Sequence, residues 1–396
     1  MDVKDRIKGL AKKYSKDVIE IRRELHQYPE LSFNEFKTSK RIERILKKYK
    51  IPFKGGYAKT GIVVTIKGKN PSSKTIALRA DIDALPIQET NNVSYKSKNA
   101  GIMHACGHDV HTASLLGCAR ILYELRSEFT GTVRCIFQPG EEQLPGGASL
   151  LINEGVLENP KPQTIIGQHV HPPLRVGKVG FRPGMYMASA DEIYVTVTGK
   201  GGHAALPEKV IDPILIVSNL IVSLQQIVSR KAPPSIPTVL SFGKINSEGG
   251  ATNIIPDVVK LEGTFRTFDE KWRKRAHKLM KKLAEQMAKS MGGTCDFHIA
   301  HGYPHLFNDH DLTTKLKGLS IEYLGKRNVV DLPARMTSED FAYYSHIIPA
   351  TFYRLGTGNP EKNITSPVHT STFDIDESAL EVGAGLMAWL ALAQLK

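Results

Sequence analysis

The sequence predicts an α/β chain of two domains: a first domain on a mostly parallel sheet, interrupted by an inserted α+β module. Three observations carry that expectation. Apolar β-rich runs alternate with helix-patterned stretches through the first half of the chain. Near residue 187 the pattern changes to strand, long helix, two β-rich runs and a lysine-rich helix. Beyond residue 305 the α/β character resumes and finishes in an apolar helix. The expected segments are 1–186 and 304–396 for the first domain, with 187–303 inserted between them.

The elements follow in order. The opening stretch, MDVKDRIKGLAKKYSKDVIEIRRELHQYPE, reads as a charged amphipathic helix; it has no apolar h-region and no small-residue cleavage site. KTGIVVTIKG (59–68) and KTIALRADID (74–83) are strands bounded by Gly, Pro, Ser and Asn. Residues 109–126 carry apolar side chains at helical spacing, and GTVRCIFQPGEE (131–142) is a strand ending in a Pro-Gly turn. SLLINEGVL is helical, and TIIGQHVHP (164–172) is a strand of the buried type. In the insertion, DEIYVTVTGKGGH leads to the helix DPILIVSNLIVSLQQIVSR, the runs TVLSFGKINSE and VVKLEGTFRTF, the helix KWRKRAHKLMKKLAEQMAKSMG and the strand CDFHIAHGYP. The chain closes with ESALEVGAGLMAWLALAQL, a helix.

Composition narrows the function classes. With 41% hydrophobic and 23% charged residues, 396 residues can build full globular cores. No run of 18 apolar residues occurs, so no membrane span is expected. Four cysteines, at 106, 118, 135 and 295, lack framework spacing, which points to a reducing compartment and a cytoplasmic protein. The net charge of +13 resides in blocks such as Lys47-Lys48 and Lys281-Lys282, set in helical stretches with acidic residues close by. No RNP-like aromatic pattern, zinc finger or dense arginine cluster accompanies them. Solvated faces are therefore expected rather than nucleic-acid binding.

The chemistry concentrates in MHACGHDVH (103–111), which places His104, Cys106, His108, Asp109 and His111 in nine positions. Ligands of open α/β sheets collect beyond the carboxyl ends of the strands. Asp81 and Asp83 close the strand KTIALRADID, Glu141 and Glu142 follow a strand end, as His169 and His171 are expected to, and the loop SPVHTSTFDID adds His369. Thiolate, imidazole and carboxylate together suit Zn, Mn, Co or Ni better than Ca or Mg. Two such ions side by side would stabilise charge developing on an attacked carbonyl. Adjacent glutamates divide the labour well, since neighbouring side chains diverge: Glu142 can hold metal while Glu141 takes a proton from water. A nucleophilic role for Cys106 would not need so many further ligands. Cys118 and Cys135 sit in apolar runs and are expected in the core.

These residues carry a resemblance to the two-metal aminoacylase/carboxypeptidase family of metallopeptidases, and within it to the branch of N-acyl-amino-acid amidohydrolases, hippurate hydrolases and auxin-conjugate hydrolases. The matching segments are RRELHQYPELSFNE (22–35), ALRADIDALPI (77–87), MHACGHDVHTASLLG (103–117), FQPGEE (137–142), GQHVHP (167–172), GKGGHAALP (199–207), TNIIPD (252–257), GTFRTFD (263–269), SEDFAYY (338–344) and PVHTSTFDID (367–376). The fold implied is a catalytic domain with an inserted α+β lid that often mediates dimerisation, so a homodimer or tetramer is expected. The resemblance also implies two divalent ions per subunit, Mn or Zn before Co or Ni. It makes Cys106, His108, Glu142, His169 and His369 the metal ligands and Glu141 the base acting on the bridging water. Asp81 would orient a ligand. His203 matches a lid histidine that helps to stabilise the oxyanion, and Asn253 and Arg266 match lid groups that hold the substrate's carboxylate and carbonyl. A guanidinium suits a carboxylate because its donors form a fork. His171, two positions along the strand, stays a rival to His169, because alternation points both to one face.

Three details depart from the common pattern. EEQLPGGA is one residue longer than EEGPGGA, Gly140 replaces the alanine often found before the glutamates, and MTSEDF (336–341) replaces MGSEDF. No ligand is lost. The expected reaction is hydrolysis of an N-acyl-L-amino acid to a carboxylic acid and a free amino acid. A metallo-exopeptidase, either carboxypeptidase or dipeptidase, is the alternative, and a non-catalytic metal-binding scaffold the remote one. No nucleic-acid or membrane partner is expected.

Overall fold

The computed structural model describes residues 2–395. These divide into two units: Met187–Leu306 with Arg335–Glu339 form the second, and the remaining described residues the first.

The first unit is built on an eight-stranded sheet. Its early strands are β1 (Phe53–Tyr57), β2 (Gly61–Lys67), β3 (Thr75–Asp81), β4 (Thr132–Gln138), β5 (Thr164–Arg175) and β6 (Val179–Phe181). They are joined by Val329–Asp331 and Ala350–Gly358, and the order across the sheet is β1, β2, β4, β3, β5, Ala350–Gly358, β6, Val329–Asp331. β3 runs parallel to β4 and β5, and β5 parallel to Ala350–Gly358, so the centre is parallel. β3 and β4 are buried along their whole length, as strands covered on both faces must be. Helices α1 (Val3–Gln27), α3 (His108–Glu124) and the last helix, Ala379–Gln394, pack against one another. α2 (Phe36–Lys48) buries Thr38, Ser39, Ile42, Ile45 and Leu46, a stripe at helical spacing.

The second unit has a four-stranded antiparallel sheet in the order Thr238–Ser247, Val258–Thr267, Asp191–Thr198, Thr294–His301. Along Asp191–Thr198 buried and outward residues alternate, with Ile193, Val195 and Val197 inside. Helices Pro213–Gln226 and Glu270–Ser290 close the core from Ile216, Val217, Leu220 and Leu224 on one and Trp272, Ala276, Met280 and Ala284 on the other. Asp212 caps the first by accepting from the backbone N–H of Ile214 and Leu215, and Asp269 caps the second at Trp272. The stretch Pro213–Lys231 is long and apolar enough to cross a membrane by length and composition, although polar residues interrupt it and no run of 18 apolar residues occurs.

The insertion expected at 187–303 thus differs in extent from the second unit. That unit continues to Leu306 and recruits Arg335–Glu339 from the segment assigned to the first domain. Contacts to the backbone carbonyls of this segment accompany the recruitment. Ala188 donates to the carbonyls of Arg335 and Thr337, and Arg266 Nη1 donates to Met336 O at 3.2 Å.

Candidate metal centre

The cluster at 103–111 is built by a turn that only glycine can make. Met103 and Leu85 exchange both backbone hydrogen bonds at 3.0 Å, which fixes where the loop starts. Gly107, the residue before α3, has φ +82°, and a Cβ there would lie 2.6 Å from Val170 Cγ2 of β5. The close approach brings Cys106 to β5, with its sulfur 3.4 Å from His169 Nε2. From another loop, the backbone N–H of His369 donates to Ala105 O at 2.8 Å. His369 sits at φ +64°, and its Nε2 lies 3.4 Å from Glu142 Oε1. His108 Nε2 lies 3.8 Å from the same oxygen.

Donor atoms of Cys106, His108 and His169, of Cys106, Glu142 and His369, and of His108, Glu141 and Glu142 lie within 4.8 Å of one another in each group. The six side chains therefore share one place beyond the carboxyl ends of β3 and β4 and beside the middle of β5, where His169 stands. Glu141 is buried, and its Oε1 accepts from the backbone N–H of Asp340 at 3.3 Å. Asp340 is itself held by Arg79, Gln138 and the Ala148 N–H.

Hydrogen bonds decide which imidazole nitrogens face the cluster. His169 Nδ1 lies 2.8 Å from Val170 O, to which it can only donate, so Nε2 carries the lone pair. His108 Nδ1 lies 3.0 Å from Asp83 Oδ1. Its Nε2 is buried without a hydrogen-bond partner, as is Glu142 Oε1. His111 is different: Nδ1 is 2.5 Å from Asp81 Oδ1, and Nε2 accepts from Val170 N–H at 2.9 Å. Both nitrogens are committed, so His111 braces β3 against β5 and has nothing to offer an ion, although it stands close to Asp81 and His108.

This corrects the part expected of Asp81. Its carboxylate is taken by His111 and by Arg79 Nη1 at 2.6 Å, and it remains 3.8 Å from His108 Nε2. The carboxylate bonded to the ligand-type imidazole is Asp83, which also accepts from Ser32 Oγ and the Glu142 N–H. The clue was present in RADID: strand alternation puts Asp81 and Asp83 on one face, and either could have met a histidine. Of His169 and His171, it is His169 that stands against the Cys106 sulfur; His171 is half-buried farther along β5.

The electrostatics call for positive charge. The neighbouring Cys106 and then Glu142 raise His369 to about 10. Burial opposes a charge on His108, yet Asp81 and Cys106 outweigh it and raise that imidazole well above its ordinary range. Burial, then Glu142, pushes the Cys106 thiol up. A desolvated pocket in which a thiol, carboxylates and imidazoles converge, one imidazole nitrogen (His108 Nε2) without a hydrogen-bond partner among the described residues, fits divalent cations.

His203, Asn253 and Arg266 all belong to the second unit. His203 is exposed, its Nδ1 accepts from Ala205 N–H, and it pairs with Ile254, which brings Asn253 alongside through an Ala204 N–H to Asn253 O bond. Arg266 is half-buried on Val258–Thr267.

Residues 77–393 match the model of peptidase family M20/M25/M40. The chain is 42% identical over 366 residues to N-acetyl-L-cysteine deacetylase of Bacillus subtilis (strain 168), covering 92% of this chain and 85% of that one. It is 36% identical over 395 residues to thermostable carboxypeptidase 2 of Saccharolobus solfataricus, covering 99% of each. Among solved structures, a dinuclear metal-binding M20 peptidase of Bacillus subtilis superposes with a TM-score of 0.82 at 36% identity, over 97% of this chain and 99% of that one. The chain belongs to peptidase family M20/M25/M40 and is an amide-bond hydrolase.

Proposed function

We propose that the protein hydrolyses N-acyl-L-amino acids, releasing a carboxylic acid and a free amino acid, with two divalent ions held by Cys106, His108, Glu142, His169 and His369. One observation carries the reading: among the described residues His108 Nε2 is buried without a hydrogen-bond partner, 3.8 Å from Glu142 Oε1, where a thiol and two further imidazoles converge. The ions supply Lewis acidity toward the scissile carbonyl and make water a better acid. Manganese or zinc suits this donor set best, with cobalt or nickel as substitutes.

The chain's own groups do the rest. Glu141, clear of the direct ligand set, takes the proton from the attacking water and returns it to the leaving amine. Asp83 fixes the His108 tautomer, and the Val170 carbonyl fixes that of His169. The substrate's carboxylate falls to Arg266 and Asn253, and the oxyanion to His203.

A metallo-exopeptidase is the second reading, favoured by the carboxypeptidase likeness over nearly the whole chain. A panel of N-acetyl and N-benzoyl amino acids and free dipeptides, with protein stripped and reloaded with Mn, Zn, Co or Ni, separates the two. Metal-restored amine release from the acylated substrates is expected. Release confined to dipeptides or longer peptides would replace the amidohydrolase reading by the exopeptidase one.

Association through the second unit belongs to the same proposal. Leu215 and Val222 on Pro213–Gln226 are 54% and 73% exposed, and Ile245 on the edge strand Thr238–Ser247 is 56% exposed. Such apolar surface favours a partner copy. A cytoplasmic location accords with the four unpaired cysteines.

A further inference from the structure

The turn carrying the two glutamates is gripped from behind by a carboxylate that the chemistry does not use. Glu35, in the segment Leu31–Glu35, is fully buried. Its Oε1 accepts from the backbone N–H of Gly140 at 2.8 Å and of Phe33 at 2.9 Å. Its Oε2 accepts from Thr60 Oγ1 at 2.8 Å. The other side of residue 140 is tied as well, because Gly147 N–H donates to Gly140 O at 2.9 Å.

The same segment leaves no room for the turn to shift. Gly140 has φ +61°, and a Cβ there would lie 2.3 Å from the Phe33 ring. Phe33 is itself at φ +63°, a strained value for a bulky residue. Ser32 next to it donates to Asp83 Oδ2, the oxygen that also receives the Glu142 N–H. Two carboxyl groups thus hold the backbone N–H groups on either side of Glu141, Glu35 at Gly140 and Asp83 at Glu142.

We propose that Glu35 is a positioning residue: by gripping the Gly140 N–H it sets the direction in which Glu141 and Glu142 leave the turn. The proposal rests on Glu141 acting as base and Glu142 as ligand. A base must stand within hydrogen-bond reach of its proton, and a displacement of about 1 Å costs on the order of 100-fold in rate. Burial, then Asp83, pushes the Glu35 carboxyl up to about 7, so a neutral amide oxygen is a fair replacement for the group that Gly140 meets.

The test compares Glu35→Ala, Glu35→Gln and Glu35→Asp in the full chain, reading kcat and KM separately, Mn²⁺ affinity by calorimetry and the thermal midpoint. Glu35→Ala should lower kcat about 10- to 100-fold with KM little changed, and weaken Mn²⁺ binding about tenfold. Glu35→Gln should restore both to within about threefold, the residual cost of an imperfect acceptor. Should the alanine variant fail to fold, Glu35→Asp, one methylene short of Gly140, should show the same kcat loss. A lowered midpoint with unchanged kcat and Mn²⁺ affinity in the folded Ala or Asp variant would make Glu35 a purely structural group and overturn the proposal. So would a Gln variant as impaired as Ala. Failure of the underlying reading looks different: Glu141→Gln would then keep its turnover in the same assay.

Discussion

Two clusters in this molecule are alike in composition and opposite in what they leave unpaired. In the second unit, Asp191 receives a bidentate pair from Arg273 at 2.5 and 2.8 Å and faces His277 Nε2 at 2.7 Å. Glu270 meets Arg273 Nη1 and the His305 N–H. Each of these carboxylates has its cation, and among these groups the His277 Nδ1 is left over. In the first unit, Cys106, Glu142 and three imidazoles converge with no arginine or lysine hydrogen-bonded to them among the described residues, and His108 Nε2 is left without a hydrogen-bond partner 3.8 Å from Glu142 Oε1. A count of His, Asp and Glu does not separate the two. The presence of a guanidinium does, because it satisfies the carboxylate that an ion would otherwise hold.

Substitutions in the two clusters should therefore fail in different ways. Cys106→Ala is expected to have the largest effect, weakening metal binding and activity by more than the roughly 100-fold that outer partners cost, with the fold retained. Metal content and amine release of the purified variant check this. Asp83→Asn should come next, at about 10- to 100-fold in metal affinity, since it frees the His108 ring. In the second unit the loss should be of stability. Asp191→Asn removes the bidentate counter-ion of a buried guanidinium, leaving it only Glu270, and should cost about 3 kcal/mol in denaturant unfolding while metal content stays unchanged.

The acid limb sharpens that last contrast. Burial pushes the Asp191 carboxyl up, but hydrogen bonds from Arg273 and His277 outweigh it and hold it at about 2. A folded value below the ordinary carboxylate value of about 3.9 means stabilisation that is complete above about pH 4 and fades as pH falls through about 2. Unfolding measured from pH 5 to 2 should be steeper in the wild type than in Asp191→Asn. The smallest effect belongs to Lys281→Ala. Its ion pair with Glu285 is 3.8 Å long and half-exposed, and its loss should move stability by no more than about 0.5 kcal/mol.

Periodicity made the fold legible. The parallel centre followed from strand and helix patterns in alternation, and the second unit from the break near residue 187. Arg335–Glu339 escaped notice because the bonds seen here are made to its backbone carbonyls, which leave no trace in side-chain type. The convergence of Cys106, His108, Glu141, Glu142, His169 and His369 was legible as residue types at strand ends, aided by family resemblance. The supporting contacts were less so. Asp81 and Asp83 share a strand face, and His108 and His111 a helix face, so the pairing Asp83 with His108 and Asp81 with His111 depends on sub-ångström placement. Glu35 was hidden for the same reason as Arg335–Glu339, since what it holds is the amide of a glycine over a hundred positions away.

The central claim is that Glu141 moves protons beside two ions held by other residues. Glu141→Gln, metal-loaded and assayed for amine release from the best acylated substrate, tests it most directly. Two ions per chain at wild-type affinity, with turnover lowered by about 100- to 10,000-fold, is the expected result. Near-normal turnover with both ions in place would contradict the account.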